Sequence, residues 1–492
     1  MASRLKSNLG YYGSPTLIKK RKSVGRRSSS STRKSIKSSP NSSGSQKRGR
    51  SSGSQKRGRS SSQKRGRSSS QKQRALFLST ICSDSNACLA FGRNVEEIKK
   101  HFDGFASFKY VVAPITLISE PSENGFVNKV NYAHRDYTAC ALLKSAKTPE
   151  ADNLLYEYVV GQYINRMNKL YPCFLETYGF YMYTSEALWL QMQTTPLLHD
   201  VSLLKNLQQQ KTINYNDACR KSSKLAILIQ YFENVISLHR CSLDSMFIQE
   251  ELMNALFQLY VPLAHLKDDF THYDLHLTNV YMYVPVMGKY IEYHYYSISS
   301  TRAISFKSSY MLKIIDYGRS YFNDRQTGQN AKKIYTDELC DKVKTAYCNT
   351  PATGTCGENV GFGWLKTNPR NLKKDFYISA QQKNISHDLL PLMRIKENHT
   401  APQPNKLTPD LQALVDKVFY TDYFGTKENK DVGDAIFNVA DAAKFITRYV
   451  TSKKYQDINN RVYPDSKNKL GDLHIFMDGK TPMRFEPAVL EL

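Results

Sequence analysis

The chain has 492 residues, of which 40% are hydrophobic, and 69 Lys or Arg against 44 Asp or Glu give a formal net charge of +25. This length is sufficient for a two-lobed globular protein with additional segments. No stretch approaches the roughly 18 consecutive apolar residues of a membrane helix, and residues 1–37 lack the apolar core of a signal peptide. We therefore expect no membrane span and no secretory leader. The nine scattered cysteines predict mostly free thiols in a reducing compartment.

Residues 1–74 form a strongly basic N-terminal tail. They contain 22 Lys or Arg and no Asp or Glu, so the rest of the chain is nearly neutral. The tail repeats Q-K-R-G-R at 46–50, 55–59 and 63–67, and these repeats have no apolar residue to bury. We therefore expect the tail to be disordered. Its charge density predicts salt-sensitive, nonspecific binding to nucleic-acid phosphates, with a solubilising or nuclear-targeting tail as the alternative.

Residues 75–193 are predicted to form a small lobe of antiparallel strands with one main helix. Apolar alternation and β-branched residues predict strands at 110–118, 126–130, 137–144, 178–183 and 187–192. Helical patterns cover 94–102 and 152–169, and the second of these is amphipathic.

Residues 194–492 are predicted to form a larger, mainly helical lobe, which makes the fold class α+β. The strongest helical patterns cover 223–239 and 247–266, and a kink is expected at Pro262. Further predicted elements are strands at 280–286 and 311–315 around a tyrosine-rich insertion at 288–309, helices at 409–418 and 432–451, and a short strand at 472–477.

Two polar clusters lie between the elements of the larger lobe. Residues 270–280 contain His272, Asp274 and Asn279 in the spacing H-x-D-x-x-x-x-N, and Asp316 stands between two β-branched residues and a tyrosine–glycine pair. These clusters resemble the catalytic loop and the D-F-G turn of protein kinases, with tyrosine in place of phenylalanine. Phosphoryl transfer needs a carboxylate near the acceptor hydroxyl and hard oxygen ligands for Mg²⁺. Asp274 fits the first role, and Asn279 and Asp316 fit the second.

Two residues of the small lobe extend this resemblance. Lys144 ends a predicted strand as A-L-L-K, similar to the V-A-I-K lysine that contacts the ATP phosphates in kinases. Glu157 lies on the following predicted helix and is expected to pair with Lys144. Either residue alone is more often a solvated surface group. The kinase order of all four motifs along the chain favours the joint interpretation.

The chain departs from the kinase pattern at the phosphate-binding hairpin. Kinases have several glycines there, so that backbone N–H groups can approach the phosphates, whereas only Gly125 remains here. Nucleotide binding is therefore expected to be weaker or to use side chains such as Asn124. In the larger lobe, Asp388 is a candidate for the buried aspartate that ties down the catalytic loop.

Several sequence blocks resemble protein-kinase-like proteins of large nucleocytoplasmic DNA viruses, iridoviruses in particular. Besides the two polar clusters, these blocks are C-L-A-F-G at 88–92, N-G-F-V at 124–127, D-N-L-L-Y-E-Y at 152–158 and P-C-F-L-E-T-Y-G at 172–179. The resemblance covers about residues 78–480 and implies a two-lobed protein-kinase-like fold. It also implies a viral serine/threonine kinase that acts in the host cytoplasm or nucleus, or is carried in the virion.

The expected function is thus phosphoryl transfer from ATP, with Mg²⁺, to a hydroxyl of a protein substrate. Lys144, Glu157, Gly125 and Asn124 would serve the nucleotide. Two alternatives remain open. A glycine-poor hairpin also suits a non-catalytic pseudokinase scaffold, and the tail also suits a nucleic-acid-binding virion protein.

Overall fold

A computed structural model describes residues 86–91, 95–118, 125–135, 137–147, 154–214, 224–297, 302–334, 338, 364–366, 374–376, 383–400, 406–418 and 435–488. All of them belong to one structural unit. The predictions for the basic tail and for Asn124 lie outside the described residues and stay predictions.

The largest sheet has seven strands: β1 (Val111–Leu117), β2 (Gly125–His134), β3 (Tyr137–Ala146), β4 (Thr177–Tyr183), β5 (Leu197–Leu198), β6 (Leu207–Gln209) and β7 (Leu225–Gln230). Their order is β5-β1-β2-β3-β7-β4-β6, and neighbouring strands are antiparallel. Buried residues alternate with less buried ones along β2 and β3, as expected for strands with one face on a core. Strands β5, β6 and β7 follow residue 193, where the small lobe was predicted to end.

The α-helices within the described ranges are α1 (Ala87–Ala90), α2 (Val95–His101), α3 (Leu154–Asn168), α4 (Glu186–Thr194), α5 (Leu238–Cys241), α6 (Ser245–Glu250), α7 (Leu252–His265), α8 (Ala331–Lys333), α9 (Leu390–Thr400), α10 (Pro409–Asp416), α11 (Val439–Val450) and α12 (Lys453–Val462). Helices α3 and α4 contact the large sheet, whereas α7 packs against α11 in a mainly helical region. In the described part of the chain, no helix has both the length and the apolar character needed to cross a membrane.

The remaining strands are β8 (Val235–Ser237), β9 (Phe270–Thr271), β10 (Val280–Tyr283), β11 (Tyr290–Tyr296), β12 (Ile304–Ser308), β13 (Met311–Ile314), β14 (Tyr321–Phe322), β15 (Trp364–Lys366), β16 (Lys374–Phe376), β17 (Lys469–Phe476) and β18 (Arg484–Pro487). They form sheets in the orders β13-β10-β8, β12-β11-β17-β18, β14-β9 and β15-β16. The protein is thus a mixed α+β structure, as predicted, with a large antiparallel sheet beside a helical region.

The helix predicted at 223–239 is wrong. Its first half is strand β7, which lies between β3 and β4 at the centre of the sheet and is buried along nearly its whole length. A strand covered on both faces is a continuous apolar run, and such a run does not differ from a buried helix in periodicity. The second half is the short strand β8 followed by helix α5.

The strand predicted at 187–192 is also wrong, because this segment belongs to helix α4. The hydroxyl of Ser185 accepts the backbone N–H of Leu188, and this N-cap fixes the start of the helix. Leu188 and Met192, one helical turn apart, are the buried residues of α4.

Helix α3 lies directly on strand β4, and Gly161 makes this close approach possible. A Cβ atom on Gly161 would stand 2.2 Å from Oγ1 of Thr177. The helix ends near the predicted position and carries Glu157 on its buried side. The position of α3 against the sheet therefore sets the position of Glu157.

The tyrosine-rich insertion forms strands β11 and β12, and β11 pairs in parallel with β17. The register runs from Tyr290 opposite Lys469 to Tyr296 opposite Phe476. Beyond β17, the ring of Phe485 lies 4.3 Å from that of Phe91, and the N–H of Met483 donates to the carbonyl of Lys169 at 2.9 Å. The end of β17–β18 therefore contacts the chain directly after helix α3.

Among the described cysteines, Cys140, Cys173 and Cys241 are free thiols, whereas Cys88 is disulfide-bonded. Most of the described cysteines are thus free, as predicted, and Cys88 is the exception. Burial raises the pKa of the Cys173 and Cys241 thiols to about 12, which keeps both protonated and unreactive at neutral pH.

Candidate active site

The loop that follows β9 is held in place by a buried carboxylate. Asp388 accepts the backbone N–H of His272 at 2.7 Å and that of Tyr273 at 3.1 Å. The Nε2 atom of His272 lies 2.9 Å from the carbonyl oxygen of Ile315, which joins the loop to the second polar cluster. These contacts confirm the predicted role of Asp388 in tying down the loop.

Both anchoring groups are shielded from water. Burial raises the pKa of Asp388 to about 7, although its two N–H donors act in the opposite direction. Burial also lowers the pKa of His272, which favours the neutral imidazole. A neutral, fully buried His272 is a structural group of this loop.

Asp274 and Asn279 lie at the two ends of this loop and contact each other. The Nδ2 amide of Asn279 donates to the backbone carbonyl of Asp274 at 2.9 Å, and the backbone carbonyl of Asn279 accepts the N–H of Ile315 at 3.0 Å. Asn279 therefore lies next to the chain that leads into Asp316. The Asp274 side chain stays accessible, with 22% of its surface exposed.

Asp316 occupies a turn with an unusual backbone conformation. Its φ angle is +67°, in the left-handed region that non-glycine residues seldom adopt. Tyr317 stabilises this turn because its hydroxyl donates to the carbonyl of Ile314 at 2.7 Å and accepts the N–H of Leu175 at 2.9 Å. The hydroxyl that distinguishes Tyr317 from a phenylalanine thus forms two hydrogen bonds inside the protein.

Lys144, Glu157 and Asp316 converge on one point. The Lys144 Nζ atom lies 2.7 Å from Oε2 of Glu157 and 3.1 Å from Oδ1 of Asp316. Removal from bulk water raises the pKa of Asp316, but the ion pair and hydrogen bond with Lys144 oppose this effect. Together with electrostatic contributions from His272 and Arg319 they outweigh it, and the pKa lies below its ordinary value. The Asp316 carboxylate is therefore ionised at neutral pH.

These three residues line a cavity of about 460 Å³. The rest of its lining is mostly apolar and aromatic and includes Leu142, Ile229, Tyr231, Phe232, Tyr281 and Ile315. A cavity of a few hundred Å³ with an apolar body and a few convergent charges is typical of small-molecule sites. A second, larger cavity of about 620 Å³ between α6, α10, α11 and α12 contains none of the predicted site residues.

Gly125 has a packing role in addition to any contact with a ligand. It begins β2 opposite Ala146, and a Cβ atom at this position would stand 2.4 Å from the backbone oxygen of Ser145. The close approach of β2 and β3 therefore already explains a glycine here. Asn124, its predicted companion, lies outside the described residues.

Lys313 is a cavity residue that the sequence analysis missed. It lies on strand β13 with 1% of its surface exposed, and its Nζ atom donates to the carbonyl of Pro172 at 2.5 Å. The same nitrogen lies 4.7 Å from the ring centre of Phe232. Burial lowers the pKa of Lys313 to about 7. The only available signal was a lysine inside an otherwise apolar strand.

A separate cluster of Glu292, His294 and Asp472 has metal-ligating side chains close together. However, the ammonium of Lys469 lies 2.7 Å from a carboxylate oxygen of both Glu292 and Asp472. This lysine occupies both carboxylates, so the residues form a half-buried ion-pair network.

A scan against models of known protein families finds no match to this chain, and a search of curated proteins finds none either.

Proposed function

We propose that this protein is a Mg²⁺- and ATP-dependent protein kinase of the viral type, with serine or threonine hydroxyls as acceptors. The observation that carries the proposal is the contact of Lys144 with both Glu157 and Asp316 in the lining of the 460 Å³ cavity. These residues come from a strand, a helix and a turn that are far apart in the sequence. Kinases need this convergence of a lysine, its glutamate and a metal-binding aspartate.

The arrangement of elements also supports a two-lobed kinase-like fold. An antiparallel sheet with helix α3 precedes a mainly helical region in the chain, and the cavity is lined by residues of both. The segment between β7 and β8 passes along the cavity with Tyr231 and Phe232. In the proposal, this segment is the hinge between lobes and faces the nucleotide base.

The residues present suit Mg²⁺ and a nucleoside triphosphate. Asp316 offers a carboxylate and Asn279 an amide oxygen, and Mg²⁺ prefers such hard oxygen ligands. The apolar and aromatic part of the cavity lining suits a flat base, and Lys144 suits phosphate oxygens. When bound, Mg–ATP would supply the phosphoryl group that is transferred.

Each residue then has a defined task. Glu157 holds the ammonium of Lys144 in place, and Lys144 binds phosphate. Asp274 accepts or orients the proton of the acceptor hydroxyl. Asp388 and His272 keep the loop that carries Asp274 in its strained shape. Catalysis in this scheme comes from positioning and charge stabilisation rather than from covalent chemistry.

One observation favours the scaffold alternative. The steric role of Gly125 between β2 and β3 explains the sole glycine of the hairpin without any phosphate contact. A scaffold would keep the Lys144 ion pairs as structural contacts. Thermal-shift titration separates the two functions, because a kinase is stabilised by millimolar ATP with Mg²⁺ and a scaffold is not.

The decisive experiment is transfer of radiolabelled phosphate from ATP to a general protein substrate in the presence of Mg²⁺ or Mn²⁺. Asp274→Asn keeps the shape of the side chain and should abolish labelling. Asp268→Asn, a change at an exposed residue paired with Lys383, is the matched control and should label normally. Equal labelling by Asp274→Asn and the wild type would refute the assignment of Asp274.

A further inference from the structure

Two basic side chains flank the carboxylate of Asp274, one beside each oxygen. The Nη1 atom of Arg319 lies 3.7 Å from Oδ2, and the Nε2 atom of His276 lies 3.9 Å from Oδ1. Both side chains are open to solvent, with 50% of Arg319 and 40% of His276 exposed. An acceptor that approaches Asp274 therefore passes between these two groups.

Arg319 is only loosely held by Asp274. A separation of 3.7 Å is too long for a hydrogen bond, and ion pairs of exposed side chains contribute little to stability. The guanidinium can therefore exchange Asp274 for another anion at low cost. Its fork of N–H donors matches a carboxylate or a phosphate group.

Arg319 and Lys144 face different parts of the site. Lys144 is bound at short distances by Glu157 and Asp316 inside the cavity, whereas Arg319 stands beside Asp274 on the open side. In the chain, Arg319 directly follows the glycine of the D-Y-G turn. The cation therefore lies where the residues next to an acceptor hydroxyl would lie.

We propose that the acceptor is anionic, with a carboxylate or phosphate group next to the reacting hydroxyl, and that Arg319 selects it. This inference rests on the proposed function and specifies the substrate class of the same site. Arginines next to a hydroxyl would be repelled by Arg319. The tail serines Ser60 and Ser68, which directly follow arginines, are therefore poor acceptors for this site.

Binding of three matched peptides tests the inference without requiring transfer. Each fluorescent peptide carries one serine, flanked by glutamates, by phosphoserine or by arginines. Dissociation constants are measured for the full chain with Mg²⁺ and a non-hydrolysable ATP analogue. We expect the anionic peptides to bind at least about tenfold more tightly than the arginine peptide, and Arg319→Ala to remove about tenfold of this difference. Comparing the dissociation constants of the glutamate and phosphoserine peptides shows which anion is preferred.

The basic tail also attracts anionic peptides, so a charge-matched control is needed. Arg325→Ala removes one positive charge from the same segment, at a side chain that is 66% exposed and paired with Asp269. This variant should bind as the wild type does, whereas Arg319→Glu should favour the arginine peptide. Equal weakening in Arg319→Ala and Arg325→Ala, or a wild type without preference, would overturn the inference.

Transfer kinetics with the same peptides separate this inference from the proposed function. Arg319→Ala should raise KM for the anionic peptides and leave KM for ATP and the melting temperature unchanged. If phosphoryl transfer occurs but does not depend on Arg319, the protein is a kinase and the inference of an anionic acceptor is wrong. If peptide binding depends on Arg319 but no transfer occurs, the inference of anion recognition holds and the proposed kinase activity is wrong.

Discussion

The carboxylate of Asp388 accepts the backbone N–H of His272 at 2.7 Å across 116 positions of sequence. Its other oxygen accepts the N–H of Tyr273, whose φ angle of +66° is costly for a residue with a side chain. A single buried carboxylate thus holds two successive backbone groups of the strained loop before Asp274. Strain of this kind persists only where the surrounding structure enforces it.

Asp388→Ala should therefore destabilise the protein and inactivate the site. It leaves two buried N–H groups without an acceptor, at about 1–3 kcal/mol each, so we expect a loss of about 2–6 kcal/mol in the free energy of unfolding. Urea denaturation measures the loss. Asp457→Ala, at an exposed helical ion pair with Lys453, should cost less than about 0.5 kcal/mol. Similar costs for both variants would contradict the anchoring role.

Glu157→Gln should reduce phosphoryl transfer with little change in fold. The variant keeps the size of a side chain that is only 4% exposed. It removes the charge of Glu157, so that, of the two carboxylates described above, Lys144 is paired only with Asp316. Lys144 would shift toward the proposed metal ligand, and a displacement of about 1 Å can cost about 100-fold in rate. Steady-state kinetics test this effect, with Glu186→Gln at an exposed pair as the control. An unchanged kcat/KM would show that the ion pair is dispensable.

Lys313→Met should change how stability depends on pH. The folded-state pKa of Lys313 is lowered from 10.5 to about 7, so between these values the unfolded chain binds a proton that the folded chain does not. Wild-type stability, relative to the methionine variant, therefore rises with pH from about 7 towards 10, by up to about 1.4 kcal/mol per pH unit. Below pH 7, both states carry the proton and the difference levels off.

Denaturant unfolding of both proteins at pH 7, 8 and 9 measures this slope. The methionine variant should be the more stable protein at pH 7, because it fills the same space without a charge to desolvate. Lys100→Met, at an exposed residue of α2, is the control and should show no such slope. A pH-independent difference for Lys313→Met would mean that the buried lysine keeps an ordinary pKa.

Deletion of residues 1–74 should abolish nonspecific binding to nucleic acid. The 22 basic residues of this tail would release counterions from phosphates, so binding by the full chain should fall steeply between 50 and 200 mM salt. Electrophoretic mobility shifts at several salt concentrations measure the effect. A tail of equal length with glutamine at each Lys and Arg should behave like the deletion. Retained binding by either protein would place the interaction elsewhere.

Sequence motifs were sufficient to predict several residues of the candidate site. Lys144 and Glu157 were predicted from their motifs and from the order of those motifs along the chain, and they lie at ion-pair distance. The loop around Asp274 was predicted from the spacing H-x-D-x-x-x-x-N, and Asp388 was a candidate because of the resemblance to kinases. In each case, the order and spacing of several motifs carried the prediction, because a single lysine or glutamate is more often a solvated surface group.

Features that depend on distant parts of the chain were not predictable. Strand β7 looks like a helix in sequence, because its burial on both faces removes the alternation that marks a strand. The position of Arg319 beside Asp274 depends on the backbone turn at Asp316. The pairing of β11 with β17 has no local signal, since partner strands separated by this length of chain leave no pattern in either one.

The parallel pairing of β11 and β17 also has a consequence during protein synthesis. The side chains of His294 on β11 and Asp472 on β17 are hydrogen-bonded across 178 positions of sequence, so β11 leaves the ribosome long before its partner exists. Until then, a tyrosine-rich edge stays open to other chains, and such edges promote aggregation. Chains that stop before β17 should accumulate with this edge uncovered, which makes them natural substrates for chaperones and proteases in the producing cell.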